Sequence, residues 1–170
     1  MPIGFCDGAT SKGLCGGGMV IKINNRHLFN LRMGCGIGTN TKAELLALWG
    51  LLSFAYHKGS VSLKVFGDSM LVVNWAIGIT RLQVLSLEHW CDRTRDMMEK
   101  FSYISFWHIF RLLNTDVDGL SKRVVGPVDG NIYFEESRDN FVVHIGPLSV
   151  FNDAWSIFVI VNFGTLKFRC

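Results

Sequence analysis

The chain has 170 residues, 49% of them hydrophobic and 18% charged, which suits one folded domain with a sizeable core and excludes a disordered chain. Its 17 Lys/Arg against 14 Asp/Glu give a net charge of +3, a modest bias toward acidic partners. No apolar run reaches the ~18–20 residues of a membrane span, and the opening MPIGFC has neither the basic nor the apolar region of a signal peptide. The expectation is an intracellular protein, nuclear or cytoplasmic, with no membrane partner.

PIGFCD reads as a first strand that ends on a carboxylate. GGGMVIKINNRHLFNLRM reads as two more strands, because β-branched and aromatic residues flank a turn at Asn24-Asn25, where Asn tolerates positive φ. GCGIGTNT is a Gly-rich loop into a helix over about 41–57. There Leu45, Leu48, Trp49, Leu52, Ala55 and Tyr56 recur with helical period, and Gly59 follows. Residues 62–68 form a buried strand, and a short helix stops near Gly78. A longer helix is expected over about 84–100, with Leu85, Trp90, Met97 and Met98 facing inward. FSYISFWHI alternates as a strand and NTDVDGLSK begins a last helix. The order β-β-β-α-β-α-α-β-α implies an α/β fold with a mixed five-stranded sheet flanked by helices. Residues 2–125 are expected to form that domain. The turn-rich, apolar remainder, 126–170, is an extension without assigned role.

The five cysteines, Cys6, Cys15, Cys35, Cys91 and Cys170, are never in C-x-x-C spacing, which argues against a zinc site or a disulfide framework. Four acids stand out instead. Asp7 closes the first strand, Glu44 lies in the first turn of the periodic helix, Asp68 ends the buried strand, and Asp118 sits at the last helix. At 100° per residue Glu44 falls within about 40° of Leu48, Leu51 and Ala55, so it points along the apolar stripe. Buried carboxylates that converge repel one another and raise each other's pKa. A divalent cation relieves both costs, and all-oxygen ligands suit Mg²⁺, with Mn²⁺ as substitute. Two such ions suit phosphodiester hydrolysis. With these four acids set aside, residues 1–122 hold 13 Lys/Arg against five remaining acids, a basic surround fit for a polyanion.

Local alternatives stand beside this reading. Thr41-x-x-Glu44 also matches a capping box, Asp7-Gly8 a turn, and Asp68-Ser69 a helix cap. Asp116 is an alternative carboxylate to Asp118, and His108 in an alternating strand has a structural reading as well.

DGA, GTNTKAEL, GDS and HIFRLLNTDVDGLSK, in this order, resemble ribonuclease H type 1, most of all its plant reverse-transcriptase-like branch found in retroelements. The resemblance covers about residues 2–125. It implies two Mg²⁺ held by Asp7, Glu44, Asp68 and Asp118, with an RNA–DNA hybrid as partner. It also implies a monomeric metal-dependent endonuclease that hydrolyses the RNA strand. His108 falls on the family's mobile histidine, ten residues before Asp118. Asn40 falls on the reader of the RNA 2′-hydroxyl, with Thr39 beside it; Gly8, Ala9, Ser69 and Asn114 are further substrate-contact positions. The sequence departs from the family at Ile37, where a basic residue is usual, and at Ile79, where an aromatic is usual and Trp75 is the nearest substitute. Phe110 replaces Pro and Val117 replaces a small residue. The alternative these departures support is a catalytically weak or inactive nucleic-acid-binding module of retroelement origin. Integrases and exonucleases of the same broad fold lack the TN-x-x-AEL and N-x-x-x-D-x-LSK segments.

Overall fold

The computed structural model describes residues 1–123 and 131–150. Three antiparallel strands open it, β1 (Ile3–Ser11), β2 (Leu14–Asn24) and β3 (His27–Ile37). Lys12 and Gly13, both at positive φ, make the first turn, in the conformation that matches the twist of a two-residue hairpin. The second turn works differently from expectation. Its loop residues are Asn25 and Arg26, neither Asn has positive φ, and the Asn24 side-chain oxygen instead accepts a hydrogen bond from the Arg26 amide at 2.8 Å.

Helix α1 (Asn40–His57) follows, then β4 (Ser62–Gly67), α2 (Met70–Ala76), α3 (Glu88–Met98), β5 (Tyr103–His108) and α4 (Thr115–Arg123). This is the expected order of elements. The long helix begins later than its pattern suggests. Residues Leu85–Leu87 form a 3₁₀ turn, which rotates Leu85 out to 83% exposure and buries Leu87 in its place. Met97 is buried, and Trp90 and Met98 pack against the core.

Two further strands lie beyond the five expected, β6 (Asn131–Arg138) and β7 (Phe141–Ser149), so the mixed sheet runs β5-β4-β1-β2-β3-β6-β7. β6 pairs with β3 and buries Ile132 and Phe134. Phe134 packs against Phe29 and Phe54, and the Lys58 ammonium lies 5.0–5.3 Å from all three ring centres. The sheet edge that an extension would have left open is therefore covered, and residues 131–150 share one core with the rest. Residues 124–130 and 151–170, including Cys170, lie outside the described residues.

Strand alternation divides the sheet. Gly4, Cys6 and Gly8 of β1 face α1, whereas Asp7 faces α4. Helix α1 is buried along all of Ala43–Ala55, not on one stripe, because the sheet lies on one side of it and α2 and α3 on the other. Among the described residues no helix is long and apolar enough to cross a membrane.

Candidate active site

β1 and β4 run parallel in register, with Cys6 opposite Gly67. The next residues are carboxylates, Asp7 within β1 and Asp68 just past the end of β4, so the pairing brings the two acids side by side. Glu44 arrives from α1. A Cβ on Gly8 would stand 2.2 Å from the Glu44 amide nitrogen, so only glycine lets the first turn of α1 sit on β1. The Gly8 backbone then favours the charged Glu44 carboxylate, opposing in part the burial that raises it. On the other face a Cβ on Gly18 would come within 2.4 Å of the Ser121 nitrogen, and this approach seats α4. The Ser121 hydroxyl lies 2.9 Å from Asp7 Oδ2 and 2.9 Å from the Asp118 carbonyl, a donor to either.

Carboxylate oxygens of Asp7, Glu44 and Asp68 lie within 4.8 Å of one another. Burial, then the charges of Asp7 and Asp68, push Glu44 up to about 9. Burial, then Asp68, push Asp7 up to about 6, with the Ser121 hydrogen bond opposing. Asp7 Oδ1 and Asp68 Oδ1 are buried without a hydrogen-bond partner among the described residues. Buried acceptors without partners, and the raised carboxyls of Asp7 and Glu44, are relieved by a bound cation, so these three residues fit a hard divalent ion.

Asp118 stands apart from this trio. Its Oδ2 takes a 2.6 Å hydrogen bond from Lys122, one turn along α4, and it is outside the group that converges. Val117, the bulky neighbour noted in the sequence, is buried against the sheet. Asp116 is exposed and belongs to no cluster of acids.

The capping-box reading of Glu44 fails, because the cap of α1 is Thr39, whose side chain accepts from the Lys42 amide at 3.3 Å. Thr39 and Asn40 are exposed, and Asn40 Oδ1 accepts from the Thr10 hydroxyl. Ser69 caps α2 through the Val72 amide. His108 Nε2 lies 3.2 Å from the Asp68 carbonyl oxygen, which brings the imidazole to the rim of the acids. Gly8 is buried and Ala9 only half-buried. Asn114 departs from its expected substrate contact: it is 1% exposed, and its Nδ2 donates to the Cys6 carbonyl at 3.1 Å. It therefore positions the start of α4 against β1, one residue from Asp7. Trp75 cannot replace the missing aromatic at Ile79. It is 4% exposed, under Arg95 at 4.9 Å.

Two residues escaped the sequence reading. Arg111 Nε lies 3.1 Å from Asp68 Oδ2, whose side chain is 3% exposed. Arg111 sits in HIFRLLNTD, but nothing in that spacing says which acid it meets. Ser121 had one available signal, its place three residues after Asp118 on the same helix face. Cys6, Cys15, Cys35 and Cys91 are free and buried.

Among solved structures, RNase H1 from the archaeon Halobacterium salinarum is similar at 25% identity and a TM-score of 0.67, over 72% of this chain and 95% of that one. The N-terminal RNase H domain of a Mycobacterium tuberculosis protein matches at 21% identity and 0.65, over 74% and 98%. LC11-RNase H1, solved in complex with an RNA/DNA hybrid, matches at 22% and 0.65, over 74% and 96%. No curated protein gives a significant match. The fold is thus ribonuclease H-like, and β6 and β7 lie beyond the stretch that the expected domain covers. A family model described as reverse transcriptase-like matches residues 5–124, the span that carries all four motifs and every acid of the site, and the chain belongs to that family.

Proposed function

We propose that the protein is a metal-dependent endonuclease that hydrolyses the RNA strand of RNA–DNA hybrids. The observation that carries this reading is the convergence of Asp7, Glu44 and Asp68 with orphaned, buried oxygens. Asp7, Glu44 and Asp68 would hold Mg²⁺, and Asp118 would join them once released from Lys122. Bound divalent ions supply an activated water and stabilise the leaving oxygen of the phosphodiester.

The chain's own residues do the rest. Asp7 is fixed within β1, and Asp68 follows directly on the last paired residue of β4, so strand register brings them together. Gly8 admits the first turn of α1 that carries Glu44, and Ser121 orients Asp7 through a hydrogen bond. His108, at the Asp68 carbonyl, can take up or deliver a proton near neutral pH. Asn40, exposed at the start of α1, can both donate to and accept from a 2′-hydroxyl. The domain at 2–125, the origin from a plant-type retroelement and the monomeric state belong to the same proposal and rest on the sequence motifs.

A second reading, a nucleic-acid-binding module without turnover, draws on Asp118 paired with Lys122 and Arg111 seated on Asp68. Cleavage of a labelled hybrid in Mg²⁺ or Mn²⁺ separates the two. RNA-strand cutting that Asp68→Asn abolishes supports the nuclease. Hybrid binding without cutting by well-folded protein supports the module.

A further inference from the structure

The sheet face away from α1 carries a feature that metal-ion chemistry does not use. Leu63, Val65, Ile104 and Phe106 point into the core, so alternation sends Lys64, Phe66, Tyr103 and Trp107 to the opposite face. Register sets Phe5 beside Phe66 and Phe66 beside Trp107, one aromatic row across β1, β4 and β5. The Phe5 and Phe66 rings stack at 5.3 Å with planes 20° apart. The Trp107 indole N–H donates to Ser105 Oγ at 3.2 Å, which pins the ring along its own strand while the residue stays 53% exposed. Tyr103, on the same face, is 51% exposed.

Cations accompany the rings. Lys22 Nζ lies 5.2 Å from the Phe5 centroid and Lys64 Nζ 5.9 Å from that of Trp107. No ion pair joins either lysine to a described residue. On β5, β4, β1 and β2 this face bears no carboxylate until Asp7 and Asp68 themselves. Helix α4 meets this face at Gly18.

Flat rings held in a row, with ammonium groups beside them that no described residue pairs, have the chemistry of a strand-binding sheet, in which bases stack and lysines meet phosphates. An acidic peptide would satisfy the lysines but leave the rings without flat partners. We propose that this face binds a single-stranded nucleic-acid segment, with bases stacked on Trp107 and its neighbours. Phe5 and Phe66 precede Asp7 and Asp68 by two residues on their strands, a distance of about 7 Å. The bound segment is therefore the unpaired flank of a substrate whose paired part meets the acids. The inference does not depend on turnover.

The test uses the full chain in EDTA, where no cleavage occurs and the bare acids repel polyanions. Fluorescence anisotropy of labelled ten-nucleotide oligouridylate and oligothymidylate, at 20 and 200 mM salt, reads the affinity. Expected is binding that salt weakens and that Trp107→Ala weakens about 5- to 150-fold, with Lys64→Glu weakening it as well. Quenching of tryptophan emission on binding is expected to shrink in Trp107→Phe. Tighter uridylate binding assigns the face to RNA, and tighter thymidylate binding to DNA. Absence of binding by the wild type at 20 mM salt overturns the proposal. So does unchanged affinity in Trp107→Ala with an unchanged melting temperature, or in Lys64→Glu should the alanine variant not fold. Hybrid cleavage in Mg²⁺, measured separately, keeps a failure here distinct from a failure of the nuclease.

Discussion

Glu44 concentrates the electrostatics of the site in one side chain. Its carboxyl is pushed up to about 9 and that of Asp7 to about 6, from ordinary values of 4.5 and 3.8. Between the ordinary and the raised values the folded protein holds more protons than the unfolded chain. Stability without metal therefore falls as pH rises across roughly 4 to 9, by at most about 1.4 kcal/mol per pH unit for each extra proton held. Urea unfolding in EDTA across that range should show the decline. Mg²⁺ should flatten it, and Glu44→Gln should remove most of it above pH 6; a curve that rises with pH instead would contradict the buried, unpaired carboxyls. Arg111 gives a second expectation at this scale. It is the one cation on Asp68 among the described residues, so Arg111→Ala should tighten Mg²⁺ binding, roughly two- to fivefold for a pair whose arginine is exposed. Calorimetric titration reads this directly, and weaker binding would show that Arg111 supports the site rather than competing for it.

At the scale of elements, the helices are placed by what the strands lack. Gly8→Ala puts a methyl into the first turn of α1 and Gly18→Ala one into α4. Each should cost about 1–3 kcal/mol of stability, measured by denaturant unfolding, and Gly8→Ala should also weaken metal binding because Glu44 moves with its helix. β6 is a structural partner of the same rank. Phe134→Ala removes the ring shared with Phe29, Phe54 and Lys58 and should cost about 3–5 kcal/mol. A chain cut after residue 125 should melt well below the full chain, because β3 then loses its neighbour. An unchanged melting temperature would support a domain boundary at 125. Much of this was legible in sequence, since the first five strands are rich in β-branched and aromatic residues and α1 is a long apolar run that ends before Gly59. β6 and β7 were not. β7 is an exposed edge whose alternation is broken by the register shift at Glu136/Ser137, so no simple pattern survives. The start of α3 was misplaced because Leu85 and Leu87 are equally apolar, and only the 3₁₀ turn decides which is buried. Asp7, Glu44 and Asp68 could be found from ordered motifs, whereas Arg111 and Asn114 take their roles from contacts 43 and 108 residues away.

For the whole molecule, charge is arranged rather than abundant. The acids are gathered at the middle of β1 and the end of β4, while Lys22 and Lys64 stand further back on the same face. Hybrid binding by this surface should weaken steeply between 50 and 200 mM salt, and an Asp68→Asn protein titrated with hybrid would show it. Binding indifferent to salt would point to a partner other than a polyanion.

The register that pairs Cys6 with Gly67 has an evolutionary side. Removing or adding one residue ahead of Asp7 would turn that carboxylate to the α1 face, and a like change ahead of Asp68 would do the same. Descendants of this sequence can exchange side chains along β1 and β4 freely enough, but they cannot change the length of either strand and keep the site. Length can change without that cost in the turns and at the far edge beyond β3, which is where this chain carries its additional hairpin.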